Sequence, residues 1–181
     1  LVRTDRDGAT LLHWGAAGAN SKEFGTGGHV HVCEYLLTEC DRRRQTSNLA
    51  NSQGYPSSLS AKELVNQLTK DGNSPLMWAA WSGSLDTVNL MVRHRADTRI
   101  ANRNGCTVAH WATSGGSLSV CKYLGEVVGV DFFQHNHGGN TPLAHAVAFG
   151  RVEIVDWLRS HLVAMGYGES GDRTNLDSTA A

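Results

Sequence analysis

A ten-residue string returns along this 181-residue chain, and that self-similarity constrains its fold more than any other feature. Its clearest copy, Asp71-Gly72-Asn73-Ser74-Pro75-Leu76-Met77-Trp78-Ala79-Ala80, recurs as Asn104-Gly105-Cys106-Thr107-Val108-Ala109-His110-Trp111-Ala112-Thr113. It returns again as Gly138-Gly139-Asn140-Thr141-Pro142-Leu143-Ala144-His145-Ala146-Val147, and an earlier copy is Asp7-Gly8-Ala9-Thr10-Leu11-Leu12-His13-Trp14-Gly15-Ala16. The equivalent glycines are Gly8, Gly72, Gly105 and Gly139, so the last two intervals are 33 and 34 residues while the first, 64, demands inserted sequence. A period of this size marks small units that cannot bury an apolar face alone and must stack.

Each copy carries the same local physics. A Gly turn leads to Thr10, Ser74, Thr107 or Thr141, whose hydroxyl suits a helix N-cap. Pro75 and Pro142 follow at the first helical position, where a missing N–H costs nothing. A short helix then runs to a Gly (Gly83, Gly116, Gly150, and Gly28 after an insertion). A second helix follows, with apolar residues at helical spacing: Leu85, Val88 and Met91; Leu118, Cys121 and Leu124; Val152, Val155 and Leu158. Val30, Cys33 and Leu36-Leu37 fit the same frame.

A period near 33 with this T-P-L-H-x-A-A string, a Gly and an L-x-x-V-x-x-L helix resembles the ankyrin repeat. The resemblance covers about residues 5–37 and 69–165. The motif His is kept as His13 and His110 and replaced by Met77 and Ala144; the Pro is kept in two copies of four. The resemblance implies an all-α solenoid of stacked helix-turn-helix units with β-turn tips. It further implies that His13 and His110 brace the neighbouring loop, and that a partner is bound by the tips and the first helices, which line a concave groove. The tips would be Arg6, Asp7 and Ala9; Lys70, Asp71 and Asn73; Arg103, Asn104 and Cys106; His137, Gly138 and Asn140.

The expected array spans residues 1–165, with repeats at about 5–37, 69–98, 102–130 and 136–165. Residues 18–26 insert between the helices of the first repeat, and residues 41–68 form a long connection. Within it, the polar stretch 44–58 reads as loop. Ser60 and Glu63 then form a capping box that starts a helix, which could replace part of a degenerate repeat. Residues 166–181, rich in Gly, Ser, Thr and Asp, read as a disordered tail. The first copy begins almost at residue 1 with no polar capping unit before it, so a fragment of a longer chain is the expectation.

Composition narrows the function. Sixteen Lys and Arg against seventeen Asp and Glu leave a formal charge of −1, which excludes a nucleic-acid or membrane-surface binder acting through bulk charge. The short basic run Arg42-Arg43-Arg44 sits beside Glu39 and Asp41, and no stretch reaches the length of a transmembrane helix. Four Cys read as reduced thiols in an intracellular protein.

The chemistry-bearing residues fall to architectural readings. His29, His31, Cys33 and Cys40 look like a ligand set on paper, but only residues 29 and 33 share a helix face, and Cys33 and Cys121 align with the apolar Val88 and Val155. No C-x-x-C, H-E-x-x-H or G-x-S-x-G string exists, and Gly25-Thr26-Gly27-Gly28 is followed by no G-K-[ST]. No catalytic residue, metal or cofactor is therefore expected. Trp14, Trp78 and Trp111 share one repeat position and are expected to form a ladder buried between repeats. Trp81 and Phe149 lie further along, where other copies have Ala17 or Ser114-Gly115. Either they pack on a neighbouring repeat or the inserted loop, or they anchor a partner.

The expectation is a non-enzymatic, monomeric module for a protein or peptide partner, with Arg6, Asp7, Lys70, Asp71, Asn73, Trp81, Arg103, Asn104, His137, Asn140 and Phe149 in contact. The alternative is a recognition segment of a larger enzyme or membrane protein.

Overall fold

Capped helices follow each Gly turn in the computed structural model, which describes residues 4–18, 29–49 and 59–164. In chain order they are α1 (Leu11–Ala17), α2 (Val30–Leu49), α3 (Ala61–Val65), α4 (Pro75–Ser82) and α5 (Leu85–Arg93). They continue as α6 (Val108–Gly115), α7 (Leu118–Lys122), which runs into a π-helical turn Tyr123–Val128, α8 (Pro142–Ala148) and α9 (Val152–Ala164). The first helices pack in a row, α1 on α4, α4 on α6 and α6 on α8, and the second helices α2, α5, α7 and α9 follow behind them. Among the described residues, β structure is limited to isolated bridges Thr4–Thr10 and Ala101–Thr107 at the tips. The fold is the all-α stack of helix pairs that the repeat implies.

The caps explain where each helix starts. Thr10, Ser74 and Thr141 accept from the backbone N–H of His13, Met77 and Ala144. In two copies a histidine adds a second cap. His13 Nδ1 accepts from Thr10 N at 3.1 Å, and His110 Nδ1 accepts from Thr107 N at 3.1 Å. With Nδ1 accepting, the ring proton sits on Nε2, which donates to the carbonyl of the next tip: Asn73 O for His13 and Asn140 O for His110, both at 3.1 Å. The rings are almost fully enclosed, so each also ties one repeat to the next.

The tips form a backbone ladder. Lys70 N donates to Asp7 O at 2.8 Å, Arg103 N to Asp71 O at 2.9 Å, and His137 N to Asn104 O at 2.9 Å. The close approach requires glycine: at Gly105 φ is +74°, and a Cβ there would stand 2.8 Å from His137 N.

Leu12, Leu37, Leu64, Leu76, Met77, Met91, Leu124, Ile154 and Leu158 are fully enclosed between the helix rows. Cys33 and Cys121 lie among them, and burial pushes both thiols up to about 12.

Three elements differ from the sequence expectation. Residues 44–49, read as loop, continue α2 to Leu49, while 50–58 lie outside the described residues. Polarity there signals a solvated helix: Glu39 accepts from Arg42 and Arg43 at helical spacing, its carboxyl held down to about 2, and Arg44 reaches Glu63 at 3.7 Å. The capped helix at Ser60 is present as α3, but α1 packs directly on α4, so no degenerate repeat intervenes; Ala61 N instead donates to Asp41 on α2. The π-helical turn falls in the third repeat, which is one residue longer than the second, and a wider turn takes up one extra residue. Residues 19–26 of the insertion 18–26 and the tail 166–181 also lie outside the described residues.

Candidate interaction surface

The tip residues Arg6, Asp7, Lys70, Asp71, Arg103, Asn104, His137 and Asn140 are exposed, because the ladder uses their backbone and leaves the side chains outside. Asn73 differs: it is half-buried, and its Oδ1 accepts from Asn102 Nδ2 at 2.8 Å, bracing one tip against the next. Arg103 and Asp71 stand 4.0 Å apart. Asp5, exposed beside the first tip, accepts from Ala9 N, Asp7 N and the indole N–H of Trp14, and these donors hold its carboxyl below the usual carboxylate range.

The tryptophan row is not buried as the sequence suggested. Trp14 is 55% exposed, and Trp78 and Trp111 are half-buried. Helix phase is the reason. The enclosed positions of α1 are Leu12, His13, Gly15 and Ala16, so Trp14 falls on the opposite stripe with Leu11 and Gly18. On α4 the same stripe carries Trp78 and, one turn on, Trp81. With α2 behind them, these rings line an apolar groove of about 990 Å³ that also includes Val32, Leu36 and Trp111. Trp14 and Trp78 meet edge to face, centroids 5.3 Å apart at 87°. The indole N–H of Trp78 is buried with no acceptor among the described residues.

Trp81 also forms one wall of a second, smaller recess. With Phe149 and Asn104 it encloses about 250 Å³, floored by Cys106, Trp111 and His145. Trp81 comes from the second repeat, Asn104 from the third tip and Phe149, 56% exposed, from the end of α8. The structure therefore brings three of the sequence-selected residues together. Arg6, Asp7, Lys70, Asp71, Asn73, Arg103, His137 and Asn140 lie on the tips and are not among the residues that line either recess.

A polar network that the sequence did not reveal fixes the floor. Ser114 Oγ donates to His110 O at 2.8 Å, so His145 Nδ1 must donate to Ser114 Oγ at 3.0 Å. His145 Nε2 is then the acceptor for Asn136 Nδ2 at 3.3 Å, and the same amide donates to Cys106 Sγ at 3.4 Å. Burial pushes the His145 pKa down. Arg151 adds a brace by donating twice to Ser114 O at 3.1 Å. The only sequence signal for His145 was its place at the tryptophan position of the fourth copy. Among the described residues, no group of three His, Cys, Asp or Glu side chains is placed to hold a metal ion, and no helix is long and apolar enough to cross a membrane. The donors and acceptors of the network satisfy one another; it holds a shape.

Comparison with known proteins agrees with this geometry. The family model described as ankyrin repeats (3 copies) matches residues 1–126 and 76–166. Palmitoyltransferase AKR1 of Lachancea kluyveri is 26% identical over 157 residues, covering 76% of this chain and 19% of that protein. Notch-regulated ankyrin repeat-containing protein B of Danio rerio is 38% identical over 60 residues, 33% of this chain and 54% of that protein. Mouse liver-isoform mitochondrial glutaminase is 30% identical over 111 residues, 57% of this chain and 18% of that protein. The chain thus spans about a fifth of the length of the palmitoyltransferase and the glutaminase.

Proposed function

The chain belongs to the ankyrin-repeat family, and from that premise we propose that it is a non-enzymatic protein-interaction module which holds a polypeptide partner on its first-helix face. Trp81 and Phe149 are the anchors of this reading. Asn104, with the tips Arg6, Asp7, Lys70, Asp71, Asn73, Arg103, His137 and Asn140, sets register around them. The observation that carries it is the recess shared by Trp81, Asn104 and Phe149, which three successive repeats build and which the stack has no need to leave open. Its volume suits one partner side chain clasped between two rings. The braces from His110, Arg151 and Asn136 pre-organise it, so little entropy is lost on binding. Aromatic anchors in such settings carry most of an interface's affinity, while rim charges govern choice of partner.

Selection of a random dodecapeptide library on the full chain tests this. Enriched peptides are expected to bind the Trp81→Ala/Phe149→Ala variant at least about thirtyfold more weakly, the loss of one hot spot, with its helical circular dichroism retained. Unchanged affinity in the double variant refutes the reading.

A second reading is supported by the low coverage of the palmitoyltransferase and the glutaminase: the array is the recognition segment of a larger enzyme or membrane protein, delivering partners to a catalytic part elsewhere. A transcript that encodes further domains in frame favours it. Four free thiols suit the reducing interior of a cell in either case, and a monomer is expected.

A further inference from the structure

We propose that the tryptophan groove between α1, α2 and α4 is a docking site for a cationic side chain, arginine or lysine, presented by the partner polypeptide. The inference rests on the protein-binding reading only in taking a polypeptide as occupant; the groove shares Trp81 and Trp111 with the recess beside Phe149 and otherwise has its own lining.

Its walls are indoles. Trp14, Trp78 and Trp111 stand in register across three repeats, and Trp81 follows Trp78 by one turn. The perpendicular Trp14 and Trp78 planes form a corner in which ring faces, the negative ends of their quadrupoles, are turned to different sides. A carboxylate completes the complementarity. Asp5 accepts from Trp14 Nε1 at 3.0 Å, which fixes an exposed anion at the edge of the most exposed ring of the row. Among the described residues no Lys or Arg lines the groove, and His29 is its one titratable side chain.

Leu11, Val32 and Leu36 add aliphatic surface suited to the methylene stem of a long cationic side chain, whose charged end would reach the rim. A neutral apolar side chain would bury similar area but gain nothing from the ring quadrupoles or from Asp5. An anion would be repelled by both.

The five tryptophans of the full chain give five indole N–H correlations in a nitrogen-15 spectrum, assignable with single Trp→Phe variants. The probes are N-acetyl-Ala-Arg-Ala-amide and the same peptide with citrulline, a neutral isostere of arginine. The arginine peptide is expected to shift the Trp14 and Trp78 signals saturably and to bind at least about fivefold more tightly than the citrulline peptide. Trp14→Leu and Asp5→Asn should each bring that ratio close to one, without changing the melting curve. Trp14 is more than half exposed, and an asparagine can still accept the tip N–H bonds.

Equal binding of the two peptides, a ratio unchanged in both variants, or no saturable shift would each overturn the proposal. If the arginine preference fails while library peptides that depend on Trp81 and Phe149 still bind, the groove proposal alone falls. If those peptides fail and the preference persists, it is the recess reading that falls.

Discussion

Acidification is expected to loosen the stack through His13 and His110. Burial pushes both pKa values below the ordinary 6.5, against the raising effect of the Asn73 and Asn140 carbonyls, and for His13 of Asp5. In each ring Nδ1 accepts a backbone N–H while Nε2 donates across to the next repeat, so a second proton can enter only by breaking the cap. The unfolded chain therefore binds protons that the fold refuses. Stability is complete above about pH 6.5 and falls as the pH drops below it. Between about pH 7.5 and about pH 5.5, a ring kept wholly neutral by the fold costs about 1.4 kcal/mol, which is the ceiling for each of the two. At that ceiling the two rings together would remove a large part of the 5–15 kcal/mol or so typical of a domain. His145, half-buried and also pushed down by burial, adds in the same direction. Urea unfolding followed by far-ultraviolet circular dichroism measures the fall. His110→Gln should be less stable than wild type at about pH 7.5, by about 1–3 kcal/mol for its lost bonds. It should then lose less stability than wild type on acidification, by at most about 1.4 kcal/mol. If the variant and wild type lose stability in parallel, the coupling of these rings to acid stability is refuted.

Two further outcomes follow from burial. Trp78→Phe removes an indole N–H that has no acceptor among the described residues; relief of about 1–3 kcal/mol of desolvation cost should offset the smaller ring, so its urea midpoint should lie close to wild type, and a loss above about 3 kcal/mol would show that the N–H has a partner. Cys106, half-buried, should react with a disulfide reagent in the native chain, while Cys33 and Cys121, enclosed and pushed up to about 12, should react only as the chain unfolds; equal rates would contradict their burial.

The sequence by itself determined what depends on a few neighbouring residues. The spacing of Gly8, Gly72, Gly105 and Gly139 set the units, the hydroxyls of Thr10, Ser74 and Thr141 set the helix starts, and Ser60 with Glu63 marked α3. Alignment of Cys33 and Cys121 with Val88 placed all three in the core. Tertiary structure decided whatever depends on facing a neighbour. A repeat alignment places Trp14, Trp78 and Trp111 at one position but cannot say which stripe of the helix the next repeat covers; the stack covers Leu12 and Ala16 and leaves the indoles facing the groove. The polar run after Glu39 is helical, with Arg42, Arg43 and Arg44 meeting carboxylates on this helix and on α3, and composition alone does not record pairing. The recess between Trp81 and Phe149 and the hydrogen bonds from Ser114 to His145 and from Asn136 to Cys106 join residues about 30 to 70 positions apart. Such contacts exist only once repeats have stacked, because each repeat supplies half of a surface whose other half belongs to its neighbour.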